Sequence, residues 1–264
     1  MIVVVPHPPI LISDIGGTQA QAAPDSVDAM RRIAERVKGA DPETVIIVSP
    51  HAPISPDAFG IHVGDVLRGS FAHFGCAWLS FRCENDLQLV DEIISEAYDQ
   101  KIKIFEIPDP TPLDHGVLVP LFFLLQAGWK GKIVALSCSL VSNQQHLAYG
   151  GCIERAVRAV SRRTVFVASA DLSHRLTETA PDGYDAKARQ FDGQVVSSIR
   201  DGDFRGLADI DASVCQRASE CGYRPILISL GVAQMQPANN RVLSYEHPFG
   251  VGYLVAVLAD QAGG

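Results

Sequence analysis

The feature that most constrains this chain is a set of short β-branched runs, each closed by turn residues and separated from the next by a helical stretch. Ile2–Val5, Thr44–Val48, Ile133–Leu136 and Thr164–Ala168 are the clearest of them, and such runs are the pattern of buried strands. Between them, the apolar spacing predicts helices over Ser26–Val37 (with Pro24 and Asp25 at its start), Asp86–Ala97, Gly116–Gln126, Asn143–Val160 and Asp185–Ile199. Alternation of this kind implies an α/β fold with a largely parallel central sheet flanked by helices. Near the end, Arg241–Tyr245 and Gly250–Leu258 predict a strand pair around His-Pro-Phe-Gly. No Gly/Ser/Pro-rich linker and no internal repeat divides the chain, so residues 1–264 are expected to form a single domain.

Composition narrows the function classes. A chain of 264 residues with 47% apolar and 20% charged residues can bury a substantial core. Its net charge of -8 argues against a nucleic-acid surface or an anionic membrane partner. The opening Val run is too short for a signal peptide and lacks basic residues before it. The longest apolar stretch, Val117–Leu125, is interrupted by Pro120 and is too short for a bilayer. Six cysteines lie scattered without a CxxC pair, which suits reduced thiols in a cytoplasmic protein.

In open α/β sheets, ligands gather beyond the carboxyl ends of the strands. Reading just past each predicted strand finds Pro6-His7-Pro8, then Ser49-Pro50-His51-Ala52-Pro53, then Ser169-Ala170-Asp171-Leu172-Ser173-His174. Asp114-His115 precedes the Gly116 helix, and Glu246-His247-Pro248 follows the first strand of the C-terminal pair. Two imidazoles and one carboxylate make the facial triad of non-haem Fe(II) oxygenases, and His7, His51 and Glu246 fit that set. The flanking prolines restrict the backbone at His7 and His51. Each residue also has an ordinary reading: a hydrogen-bonded loop histidine for His7 or His51, a helix start for His115, a local backbone partner for His174. His62 and His73 are expected to be structural, His146 to lie on a helix surface, and Cys138 and Cys152 to be small core hydrophobes. Cys221 opens an apolar helix.

In order along the chain, PHPPILI, SPHAP, LDHGVLVPL, ASADLSHRL, ECGYRPI and SYEHPFGVGYLVA together resemble the class III extradiol ring-cleavage dioxygenase superfamily. That superfamily includes the β-subunit of protocatechuate 4,5-dioxygenase, and the nearest flavour is the bacterial branch found alongside Memo-like proteins. The resemblance implies Fe(II), or zinc or another divalent metal, held by His7, His51 and Glu246. It implies His115 and His174 as an acid/base pair, with His174 taking a proton from a substrate hydroxyl. The implied substrates are a small catechol- or aminophenol-like aromatic and O2. It further implies a homo-oligomer, with a separate small α-subunit in some members. Two departures bear on the ligand set. His247 directly follows the carboxylate, and Memo-like relatives place a cysteine-glycine-arginine segment near the metal where this chain has Cys221-Gly222-Tyr223-Arg224. A cysteine ligand would favour zinc or copper. A metal- or ligand-binding protein without turnover and a zinc-dependent hydrolase are the alternative readings. Arg175, Asn143, Tyr184 and Tyr245 are candidate pocket-lining polar groups.

Overall fold

The computed structural model describes residues 1–260. In its first half the elements are β1 (Ile2–Val5), α1 (Ser13–Gly16), α2 (Pro24–Ala40), β2 (Thr44–Ser49), β3 (Phe59–His62), β4 (Val66–Phe71), β5 (Cys76–Glu84), α3 (Leu87–Asp99) and β6 (Ile104–Ile107). There follow α4 (His115–Gln126), β7 (Lys132–Ser137), α5 (Asn143–Ala159), β8 (Thr164–Ser169), α6 (Ala188–Asp201), α7 (Phe204–Ala208), α8 (Ala212–Ala218), α9 (Tyr223–Val232), β9 (Arg241–Glu246) and β10 (Tyr253–Ala259). Eight strands form one sheet in the order β6-β3-β7-β2-β8-β1-β10-β9, while β4 and β5 make a separate antiparallel pair. The central neighbours β7-β2, β2-β8 and β8-β1 are parallel. Antiparallel partners join on either side, β3 against β7 and β10 against β1 and β9. Among the described residues no helix is long and apolar enough to cross a membrane.

Why the predicted strands are apolar at every position follows from two cores. Val3, Val5, Val45, Ile47, Val165 and Val167 point into the core beneath α2 and α4. Their neighbours Val4, Ile46, Val48, Phe166 and Ala168 point into the opposite core, beneath α3, α5 and α9. A parallel sheet covered on both faces leaves no position for a polar side chain except at strand ends, which is where the histidines stand. Predicted helices and strands are present with shifted ends, as with α6, which begins at Ala188 rather than at Asp185. His146 departs from expectation. It is buried on α5 rather than on the helix surface, with its ring nitrogens 2.9 Å from Ser142 O and 3.2 Å from Ser139 O. Ser142 through Gln145 before it are exposed, with Ser142 and Gln145 forming a capping box.

Helices α5 and α9 meet backbone to backbone. A Cβ on Gly150 would stand 2.1 Å from Ile228 O, and one on Gly231 would stand 2.1 Å from Leu147 O. This contact sets the register of α9, and with it the position of the Cys221 segment that leads into α9. Gly150→Ala should therefore destabilise the fold by about 1–3 kcal/mol in urea denaturation. Gly151→Ala, whose Cβ would meet only the Arg155 side chain at 3.5 Å, should be neutral or stabilising by up to about 1 kcal/mol. Equal losses in the two variants would refute the backbone-contact account.

Candidate metal centre

Because β2, β8 and β1 are neighbours in the sheet, the segments leaving their carboxyl ends come together. His7 follows β1, His51 follows β2, and Asp171 and His174 follow β8. The buried His7 ring is the hub. Its Nε2 lies 3.0 Å from His51 Nε2, 3.5 Å from Asp171 Oδ2 and 3.6 Å from Cys221 Sγ. Among the described residues two groups of potential ligand atoms fall within 4.8 Å of one another: His7, His51 and Cys221, and Asp171, His174 and Cys221.

A chain of local bonds decides which nitrogen of His7 is free. Pro120 lies inside α4 and has no N–H to give to Gly116 O, its acceptor one turn back. Ser169 Oγ donates to that carbonyl instead, at 2.5 Å. With its proton spent, the hydroxyl can only accept from His7 Nδ1, 2.9 Å away. His7 therefore carries its proton on Nδ1, and the Nε2 lone pair faces His51 and Cys221. The His7 backbone N–H is held as well, donating to Asp171 Oδ1 at 3.0 Å.

His51 is steadied from its own side of the cluster. Its N–H donates to Ser49 Oγ at 3.1 Å, and Ser49 Oγ donates to Asp114 Oδ1 at 2.6 Å. The same Asp114 oxygen caps α4 by accepting from Gly116 N. Gly116 must lack a side chain here, since a Cβ would sit 2.2 Å from Ser49 Oγ. His115, the first residue of α4, stacks on His51 with ring centroids 4.4 Å apart and meets His7 edge-on at 5.5 Å. Phe74, from the turn between β4 and β5, closes on His115 at 5.5 Å and is partly exposed. Opposite, Gly222 lets the Cys221 segment lie against β8, because a Cβ would stand 2.6 Å from Asp171 O.

Burial governs the protonation states. It holds the His7 imidazole well below its ordinary range, helped by repulsion from His51, His115 and His174. His51 is lowered to about 4 by burial and by His115, against the opposing pull of Asp114. Burial also lowers His115 and His174. All four rings are thus neutral at neutral pH, with lone pairs available. The Asp171 carboxyl is raised to about 7 by burial. The Cys221 thiol is pushed well up by burial and by Asp171, so a bound cation would be needed to hold it as thiolate. His174 adds a buried Nδ1 that makes no well-formed hydrogen bond. Two neutral imidazoles, a thiol and a preset tautomer fit a borderline or soft divalent metal.

Not every predicted site residue joins the cluster. His7, His51, His115 and His174 come together there. The Glu246 carboxylate lies outside both potential ligand groups and accepts from Ser26 N at 2.6 Å, in the first turn of α2. Tyr245 donates to Asp192 Oδ2 at 2.7 Å, while Asp192 Oδ1 accepts from Ser173 N, so the pair braces the Asp171–His174 loop. Asn143 and Arg175 donate to the backbone carbonyls of Ala208 and Asp182, and Tyr184 is exposed. His247 stacks at a tilt on Tyr245, with centroids 6.0 Å apart. Residues not anticipated are Asp171, Ser169, Ser49 and Phe74. Asp171 had a visible signal, an acid three positions before His174 directly past a strand. A hollow of about 740 Å³ elsewhere, lined by Ala58, Ile94, Tyr98 and Ile104, carries none of these groups.

The model of the family described as the catalytic LigB subunit of aromatic ring-opening dioxygenase matches residues 1–256. The chain belongs to the LigB family. A relative, Protein CA_C1420 of Clostridium acetobutylicum, is 31% identical over 262 residues, covering 96% of this chain and 56% of its own length. This LigB chain therefore spans little more than half of that curated relative. Among solved structures, an uncharacterized protein, JW3007 from Escherichia coli K12, superposes with a TM-score of 0.65 at 15% identity, covering 97% of this chain and 98% of its own. At that identity the likeness shows a shared fold.

Two experiments test this geometry. Ser169→Ala, which removes the acceptor fixing the His7 tautomer, should weaken metal binding about 10–100-fold in chelator-competition titrations. Pro120→Ala should shift affinity less, in the same direction, because its new N–H competes for Gly116 O. Unchanged affinity in Ser169→Ala would remove the relay from the account. The second concerns Asp192, raised from 3.8 to about 6 chiefly by burial. A carboxyl raised on folding binds more protons folded than unfolded, so its contribution to stability falls as pH rises from about 4 through about 6. In urea titrations Asp192→Asn should flatten that part of the stability–pH curve, and an unaltered slope would exclude Asp192 as its source.

Proposed function

We propose that this chain is a metal-dependent oxygenase that opens the ring of a small catechol- or aminophenol-like aromatic with O2, with the metal held by His7, His51 and Cys221. The observation that carries the reading is the convergence of those three ligand atoms at the strand ends of a chain from the ring-opening dioxygenase family. A metal there would act as a Lewis acid toward the substrate oxygens and as the site of O2 chemistry. Fe(II) is the metal of the family expectation, and the Cys221 thiol extends the choice to zinc or copper.

The chain's own residues handle orientation and protons. His174, neutral and grouped with Asp171 and Cys221, would accept a proton from a substrate hydroxyl and later return it. His115 lines the opposite flank, its ring between His51 and Phe74, where it would press on the bound ring and donate to a developing negative oxygen. Asp171, buried against His7, would hold a proton near neutral pH. Phe74 contributes an apolar wall that sheds water from an aromatic substrate.

One observation favours a second reading. Cys221 stands beside His7 while Glu246 is bonded to Ser26 N, a ligand set suited to a metal-binding protein without ring opening. Anaerobic loading with Fe(II), zinc or copper(I), followed by O2 uptake with catechol and 2-aminophenol, separates the readings. The oxygenase reading expects one metal per chain and substrate-dependent O2 uptake. Cys221→Ser should reduce metal content several-fold, whereas Glu246→Gln should keep the metal and lose about 0.5–2 kcal/mol of stability through the weakened helix cap. Full metal content with no O2 uptake on any diol would move the assignment to the second reading. Metal loss in Glu246→Gln but not in Cys221→Ser would overturn the ligand set.

A further inference from the structure

Asp192, on α6, is a buried carboxylate, 1% exposed, that the proposed chemistry does not use. Its two oxygens accept from uncharged groups: Oδ1 from Ser173 N at 2.9 Å and Oδ2 from the Tyr245 hydroxyl at 2.7 Å. Burying an ionisable carboxyl is costly, and an amide of the same size would fill the space. The ionised group makes the stronger hydrogen bonds, which suits it to gripping one backbone N–H. Room for it comes from Gly252, where a Cβ would stand 2.1 Å from Asp192 Oδ2.

The gripped N–H belongs to the residue just before His174, whose ring lies within 4.8 Å of the Asp171 and Cys221 ligand atoms. The buried Nδ1 of His174 makes no well-formed hydrogen bond, so nothing on that nitrogen orients the imidazole as Ser169 orients His7. The direction of the ring is set by the backbone that carries it. His174 N donates to Ala218 O at 2.9 Å, Ser173 Oγ donates to the same carbonyl at 3.0 Å, and Gly252 N donates to Ser173 O at 2.8 Å. The Ser173 N–H completes this set, and its acceptor is Asp192. In a catalytic triad a carboxylate steers the histidine by bonding its ring; here the hold is on the adjoining peptide.

We propose that Asp192 is a positioning residue for His174: held by Tyr245 from β9 and acting through Ser173 N, it fixes the direction in which His174 meets the proton of a bound substrate hydroxyl. The inference rests on the ring-opening reading above and adds to it the group that aims its base. A displacement of about 1 Å at such a base costs up to about 10²-fold in rate. It leaves the metal and the substrate-binding contacts in place, so the loss falls on kcat.

The test is O2 uptake with catechol and 2-aminophenol by Fe(II)-loaded protein, with metal content and urea midpoint measured for each variant. Asp192→Ala should lower kcat up to about 10²-fold at unchanged KM and metal content. Asp192→Asn, whose amide oxygen still accepts from Ser173 N and whose amide N–H can donate to Tyr245, should retain most of the wild-type kcat. Tyr245→Phe, which leaves the Ser173 bond in place, should fall between the two. Wild-type kcat in Asp192→Ala, or a loss there that follows lost metal or a raised KM alone, would overturn the positioning role and leave the ring-opening reading standing. Should Asp192→Ala fail to fold, Tyr245→Phe decides: a several-fold lower kcat at unchanged KM and metal content supports the assignment, and wild-type kcat overturns it. No O2 uptake by fully metal-loaded wild type would overturn the ring-opening reading and this inference with it.

Discussion

The candidate centre depends on a single missing N–H. Pro120 cannot complete the helical bond to Gly116 O, and the hydroxyl of Ser169 takes that place. Because Ser169 sits at the end of β8 and Gly116 in the first turn of α4, the bond ties helix to sheet at the depth of His7. It also uses up the only proton Ser169 has, which forces His7 to donate from Nδ1 and leaves Nε2 open. A proline that would ordinarily weaken a helix interior here frees an acceptor that sets a tautomer on another element.

Burial supplies the second constraint. Three imidazoles in ring contact, with His174 nearby, would repel one another if charged, and desolvation disfavours the charged form of each. Such a cluster gathers lone pairs, which suits it to a cation and makes it a poor anion site. The Asp171 carboxyl and the Cys221 thiol are shifted the opposite way, toward their protonated forms. On the proposed ligand set the Cys221 thiol would release its proton on binding a metal, and affinity should be pH-dependent for that reason.

Much of this was legible in the chain because strands buried on both faces leave a plain record. Val3 and Val4 enter different cores, so the run must be apolar throughout, and the first polar residue past it marks the strand end. His7, His51 and His174 could be read that way. What could not be read was the third dimension at those ends. The Cys221 segment reaches His7 because Gly222 lies against Asp171 O and because Gly150 and Gly231 allow α9 to touch α5, contacts between residues far apart in sequence. Ser169 looked like one more small residue at a strand end, since its role depends on Pro120, and nothing in the chain near it points there. His146 misled for a related reason: its helix has a polar, exposed first turn, but the carbonyls of Ser142 and Ser139 hold the ring inward.

Glu246 already has a structural partner in the fold. Helix α2 begins after Ala23, which has no side-chain acceptor for the first N–H groups, and its first residue is Pro24. The end of a helix left without acceptors is costly, and the carboxylate arriving from β9 meets Ser26 N at 2.6 Å. That bond gains from the helix dipole. The bond occupies Oε1 alone, so the second carboxylate oxygen keeps its accepting capacity. Cys221 Sγ, 3.6 Å from His7 Nε2, gives the cluster a third potential donor beside His7 and His51. On the proposed ligand set the cap and the centre are served by different residues, and α2 is anchored to the edge strand β9 through Glu246.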